Sequence, residues 1–243
     1  MDPKKIIDNI NTNNPIKKIY VEGIGLSRSR NLAVKEATGD IVITHVDMDD
    51  WYDSAFFEPF VDLYLEIKKS RGDDLLLSCP NFNITGKEAY IEKYQLRDLP
   101  MGVGERDYRW RSIMAGGFVE VNIDNDISGR IKKSDRKGLR SRAEKTLRML
   151  TGLFQIGYTT RRIIDEEVNS DSRPFYSQIF ILMIIPISYV LSRFKHPVDS
   201  DVPTQGDSLG TKIQQNTYTL SEIQEKYNIS RDLQINSLAG AEY

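Results

Sequence analysis

The chain has 243 residues, 33 lysines and arginines against 35 acids, and a formal net charge of −2. That length suits one large domain or a domain with appendages, and the near balance of charge gives no overall basic excess for nucleic-acid binding. One cysteine, Cys79, excludes an intramolecular disulfide framework and a Cys-rich metal site, and two histidines, His45 and His196, are too few for a zinc enzyme of the usual kind.

The first residues are polar and contain lysine, so no signal peptide is expected. Pro3 to Ile10 reads as a short helix, followed by an Asn-rich turn and a strand over Ile16–Val21. Ser27 or Ser29 can cap a helix carrying Leu32, Ala33 and Ala37, which Gly39 then ends. An apolar strand from Ile41 follows, with His45 as a packed residue inside it, and it stops in three acids, Asp47, Asp49 and Asp50. Such a cluster at the end of a buried strand is costly unless it meets a cation or solvent. Asp47 and Asp49 are two apart, so on an extended chain they share one face. They would then form half a site for a hard divalent cation, with a diphosphate supplying further oxygens. A solvated acidic turn would carry the same residues.

The order of these features resembles the family 2 glycosyltransferases of the GT-A fold. That family has a small residue before an Arg-Asn pair, a short helix, Gly-Asp, an apolar strand and Asp-x-Asp-Asp. Here the pattern is Ser29-Arg30-Asn31, Gly39-Asp40 and Asp47-Met48-Asp49-Asp50. The resemblance implies an α/β, GT-A-like (Rossmann-like) nucleotide-diphospho-sugar transferase domain. It also implies that the family's first strands, which bind the base and ribose, are missing, so the domain is expected to be N-terminally truncated. Asp47 and Asp49 would bind the donor diphosphate through Mg²⁺ or Mn²⁺, and Arg30 and Asn31 would line the donor side.

Trp51 to Lys69 reads as a helix with a broad apolar face, and Asp74–Cys79 as a Leu-rich strand in which Cys79 packs. After Asn81–Lys87 comes a Gly-Glu-x-Asp sequence, Gly104-Glu105-Arg106-Asp107, then Arg111 and Ala115-Gly116, and a strand over Phe118–Ile123. In the family a Gly-Glu-Asp-type motif opens a helix that ends in Arg and then Ala-Gly, and one of its acids is the general base. Counting back from Arg111 and Gly116 favours Glu105 as that base, with Asp107 as the other candidate. Acids in a helix's first turn also interact favourably with its macrodipole without any catalytic role.

Nine lysines and arginines lie between Arg130 and Arg148, with Asp135 and Glu144 as the acids. This run reads as a solvated basic segment, as a contact for donor phosphates, or as a surface for anionic lipid. Phe175 to Leu191 is uncharged and apolar, near the lower length limit for a membrane span, with Tyr176 and Tyr189 placed for the interfaces and Arg193 and Lys195 beyond. Pro186 is tolerated in a bilayer helix and would kink a soluble one. Val198 to Tyr243 is polar and is expected to be largely disordered, with a short helix over Leu220–Tyr227 capped by Thr219 or Ser221.

The expected organisation is therefore a partial GT-A-like domain over 1–125, a basic helical segment over 126–174, a transmembrane or interfacial helix over 175–195 and a polar tail over 196–243. The expected function is metal-assisted transfer of a sugar from a nucleotide-diphosphate donor to a lipid-linked or other envelope glycan acceptor. The protein would be membrane-associated with its catalytic domain facing the cytoplasm. Arg109-Trp110 does not sit in the Gln-x-x-Arg-Trp setting of the family's processive synthases, so addition of a single sugar is expected. A reading from another class is a non-catalytic remnant that serves as a membrane scaffold or partner. A nucleotidyltransferase would need a phosphate-gripping glycine loop, for which Gly23-Ile24-Gly25 is a poor candidate.

Overall fold

The computed structural model describes residue 17 and residues 19–46, 50–51, 57–79, 82–100, 102–122, 129–130, 139–169, 174–195 and 208–229. Helix α1 spans Leu26–Glu36. Neither serine caps it: Gly25 holds the N-cap position at φ 77°, and Ser29 Oγ donates backwards to the carbonyls of Gly25 and Leu26. The helix ends at Ala37, whose extended backbone starts the turn two residues before Gly39. The strand expected over Ile16–Val21 does not form at its described positions. Tyr20 is 62% and Val21 38% exposed, so neither is held to the sheet by burial.

Strand β1 (Ile41–Thr44) pairs antiparallel with β4 (Phe82–Gly86), and β4 forms an antiparallel hairpin with β3 (Leu76–Cys79). Short strand β2 (Asp50–Trp51) pairs with β6 (Gly129–Arg130). Trp51 is thus in an extended chain, and the helix expected from it is α2, Glu58–Arg71. Pro59 suits the first turn of α2, and Gly72, at φ 81°, ends it with a hydrogen bond to the Lys68 carbonyl. Phe60, Leu63, Tyr64 and Ile67 form its buried stripe at helical spacing.

Beyond β4, α3 (Lys87–Ala89) continues into a π-helical turn, Tyr90–Tyr94. Helix α4 (Val103–Met114) leads to β5 (Phe118–Asn122), which lies parallel to β3. Helices α5 (Leu139–Gln155), α6 (Thr160–Ile163, continued by a π turn over Ile164–Val168) and α7 (Phe175–Arg193) follow. Last come α8 (Leu209–Gln214), β7 (Thr217–Thr219) and α9 (Leu220–Lys226).

The main sheet has the order β1-β4-β3-β5-β7. On one face α2 and α9 bury Phe60, Leu63 and Ile223 against Leu77, Ile84 and Val119. On the other, α1, the Tyr90–Tyr94 turn and α4 pack Val34, Tyr94 and Tyr108 against Val42, Leu76 and Phe118. Adjacent Leu76 and Leu77 feed opposite faces, as the strand repeat requires. Cys79 is buried as expected, and burial pushes its thiol pKa well up, so it packs as a small apolar residue.

One expectation needs correction. Within the tail expected to be disordered, 208–229 is folded: β7 adds parallel to β5, and Ile223 is fully buried. Thr219 is the residue that caps α9, in a reciprocal capping box with Glu222. A polar composition is enough here because backbone pairing to a sheet edge needs no apolar side chains, and the few present are placed inward. The apolar helix α7 also has a buried side. It packs along α5, with Ile181 and Ile185 in a third cluster beside Leu150, Leu153, Val103 and Trp110. Pro186 lies inside α7, which remains continuous.

Gly117 enters β5 so close to the chain before β3 that a Cβ on it would lie 2.0 Å from the Asp74 carbonyl oxygen. Gly117→Ala is therefore expected to destabilise the fold by more than about 3 kcal/mol, because backbone must move. A urea-unfolding midpoint equal to that of the wild type would contradict this close approach.

Candidate active site at the end of strand β1

Strand β1 ends because His45 takes a left-handed backbone, φ 68°, which few non-glycine residues adopt. The ring accepts at Nδ1 from the Asn83 amide (3.0 Å), with Thr44 Oγ1 also 3.0 Å away, and stands 5.6 Å from the Tyr108 ring. With Nδ1 accepting, the neutral ring carries its proton on Nε2, which is buried and finds no partner among the described residues. Burial first, and then the nearby Arg30 and Arg109 guanidiniums, lower the His45 pKa to about 4. His45 is thus a neutral, packed residue at the strand's end rather than within it. Asp47 and Asp49, the expected metal ligands, lie outside the described residues; Asp50 is described only as a backbone partner of Arg130.

Asn31, expected on the donor side, turns its amide inward. Its Nδ2 donates to the Leu96 carbonyl (2.6 Å), and its Oδ1 accepts from Leu96 N–H (3.0 Å) and the Tyr90 hydroxyl (2.9 Å). One side chain therefore fixes α1 to the segment that precedes α4. Asp107 strengthens the same junction. It has no exposed surface and accepts from Arg97 (3.1 Å) and Arg111 (3.0 Å). Arg111 in turn donates to the carbonyls of Lys93 and Gln95. Asp107 and Arg111 stand four apart on α4, a spacing that by itself suggests an intrahelical pair.

Glu105 is different. It lies in the first turn of α4, about half exposed, with Oε1 3.7 Å from the Arg30 guanidinium. It borders two clefts. One, of about 170 Å³, is lined by Gly25, Ser27, Arg30 and Asp98; the other, of about 530 Å³, by Arg106, Arg109, Glu166 and Ser208. Of the two candidate bases, Glu105 is the one that solvent or a substrate can reach, whereas both oxygens of Asp107 are engaged by arginines.

Sequence reasoning missed the support beneath this site. Arg106 pairs with Glu167, which is buried, and lies 3.8 Å from Glu166. Arg162 stacks over Trp110 at 5.2 Å and over Tyr158 at 5.6 Å. Trp110 Nε1 donates to the Tyr158 hydroxyl, whose pKa is raised to about 12 by burial and then by Glu166. These contacts tie α4 to α6 across about fifty residues of chain, a separation at which sequence offers no periodic signal.

The two acids should part company in stability. Asp107→Asn leaves Arg111 buried without its carboxylate and is expected to cost about 3 kcal/mol, while Glu105→Gln stays within about 0.5 kcal/mol. Thermal and urea unfolding of the two variants checks this, and equal losses would show that Glu105 is also structural.

The family model for glycosyl transferase family 2 matches residues 3–71. No curated protein and no solved structure matches the chain. The matched stretch includes α1, β1, β2 and α2 together with Asp47 and Asp49, and stops before Glu105. By this match, and by its order of helix, Gly39-Asp40 turn, strand and acids, residues 3–71 are similar to glycosyl transferase family 2.

Proposed function

We propose that the protein transfers a sugar from a nucleotide-diphosphate donor to the hydroxyl of a lipid-linked or other glycan acceptor, with Glu105 as the base. The observation that carries this reading is the position of Glu105: reachable, beside Arg30, and on the wall shared by two clefts. Support for the donor side comes from Arg30 and Arg109, both close enough to His45 to depress its pKa. Two guanidiniums near His45, which precedes Asp47 by two residues in the sequence, suit a diphosphate. Asp47 and Asp49 would hold Mg²⁺ or Mn²⁺, which neutralises charge on the leaving diphosphate.

In this scheme the acceptor oxygen attacks the anomeric carbon, the bond from that carbon to the diphosphate oxygen breaks, and the acceptor proton passes to Glu105. Asn31 and Asp107 act at one remove, by holding the 93–97 segment against α1 and α4. Among the described residues one helix, α7, is long and apolar enough to cross a bilayer. It supports a membrane-linked acceptor, with the catalytic part on the cytoplasmic side where anionic lipid meets the basic run of 130–148.

Two measurements test the reading. Calorimetry with UDP and GDP is expected to show tighter binding when Mn²⁺ is present, and Asp49→Ala should remove that gain. A gain retained in the variant would exclude Asp49 as a metal ligand. For the base, Glu105→Gln should lower transfer by about 10²- to 10⁴-fold while leaving nucleoside diphosphate affinity nearly unchanged. Wild-type turnover in that variant would remove Glu105 from the mechanism, and absence of transfer with every donor would favour the scaffold reading.

A further inference from the structure

We infer that α7 lies flat in the surface of an anionic membrane leaflet rather than across the bilayer, with the face bearing Tyr176, Ile179, Met183, Ile187, Val190 and Phe194 embedded. This deepens the membrane part of the proposed function and does not depend on transfer chemistry.

The helix is two-faced. Those six residues follow one another at intervals of three or four, and each is exposed: Tyr176 72%, Met183 62% and Phe194 84%. On the opposite side Ile181, Ile185 and Ser188 are buried. That inner side belongs to the core it shares with α4, α5 and α6, through Trp110, Leu150, Leu153 and Ile163. A helix that crosses the bilayer is surrounded by hydrocarbon or by other apolar spans. Here the elements packed along it also carry charges: α5 bears exposed Glu144, Lys145 and Arg148, and the turn after α6 bears Asp165, Glu166 and Glu167. A spanning α7 would draw these groups, and the Arg106–Glu167 pair behind them, into hydrocarbon, where each charge is costly. An in-plane helix leaves all of them in water.

The chemistry of the exposed face selects lipid as its occupant. The stripe carries no charge over its whole length, and a tyrosine stands near each end, the usual place for an amphipathic ring at an interface. At the C-terminal end the Arg193 guanidinium lies 4.9 Å from the Tyr189 ring and donates to its hydroxyl, with Lys195 beyond, so two cations border that end of the apolar stripe and match anionic headgroups. Docking of this kind would bring α4, and Glu105 with it, near the lipid surface, because Arg106 is paired to the same turn on which α7 packs.

The test uses the full chain and two readouts. In flotation with sealed vesicles of phosphatidylcholine plus phosphatidylglycerol, the protein is expected to float, and to float less with phosphatidylcholine alone. Met183→Glu with Ile187→Glu should lower the bound-to-free ratio about tenfold or more, with circular dichroism unchanged because both positions are exposed. Variants Pro174→Cys and Lys195→Cys, at the two ends of the helix and with the native Cys79 buried in the core, are both expected to react with a membrane-impermeant maleimide added outside the vesicles. Protection of one end until detergent is added would mean that α7 spans the bilayer, and overturns the inference. Failure to float, with a concentration-dependent dimer that the double glutamate variant abolishes, would mean that a second copy covers the face, and overturns it equally. Neither readout involves a sugar donor, so failure of the transferase reading would be seen separately.

Discussion

Asp107 has no exposed surface, yet it neutralises two guanidiniums: Arg111 one turn along its own helix and Arg97 in the segment before that helix. A carboxylate can stay ionised in such a place only while its partners remain, so the arrangement holds as a unit. Arg111 extends it to the Lys93 and Gln95 carbonyls, and Asn31 seizes the next peptide, at Leu96, from the other side. Helix α1, the turn that ends at Tyr94 and helix α4 are therefore fixed to one another through polar groups whose bonding needs are met inside the protein. Arg30 and Glu105 extend from this fixed frame, one residue from Asn31 and two from Asp107. Their approach to 3.7 Å is set by side chains that do not face the clefts. That division of labour explains why two acids in one short motif differ so much in exposure. The helical repeat turns Glu105 outward and Asp107 inward, and only the inward one meets two arginines.

The sheet brings distant parts of the chain to the same place. Strand β5 lies between β3 and β7, parallel to both, and its partner β7 comes from almost a hundred residues further on. Pairing of that kind closes a long loop, whose entropic cost rises only slowly with length. Here it is offset by the burial of Ile223 and by the capping box that starts α9. The same return brings Ser208 and Leu209 to the larger cleft beside Glu105, where the Leu209 N–H donates to Glu166. The C-terminal segment is thus part of the wall of the candidate site, and the helical insertion of α5 to α7 is enclosed between two stretches of the sheet domain.

That insertion gives α7 its unusual position. The inner side is ordinary core, shared with Trp110 and Leu153, while the outer side presents apolar residues to the exterior. Because Arg162 and Arg106 link the insertion to α4, a surface that binds on the outer side of α7 is mechanically connected to the helix that carries Glu105.

The sequence by itself determined the local features of this protein. The order of helix, Gly39-Asp40 turn, strand and acids marked the stretch that is similar to glycosyl transferase family 2. The apolar spacings of α2 and α7, the buried Cys79 strand and the helix after Thr219 also follow from neighbours a few residues apart, where periodicity and capping chemistry act. Tertiary structure alone decided the rest. It ended β1 at His45 by a left-handed residue, left residues near Tyr20 outside the sheet, and folded a polar tail back as β7. It also separated Glu105 from Asp107, which sequence could only rank. The physical reason is the same in each case. Whether a carboxylate is satisfied, a strand is paired or an apolar face is covered depends on groups brought together from far along the chain, and a linear pattern does not name those partners.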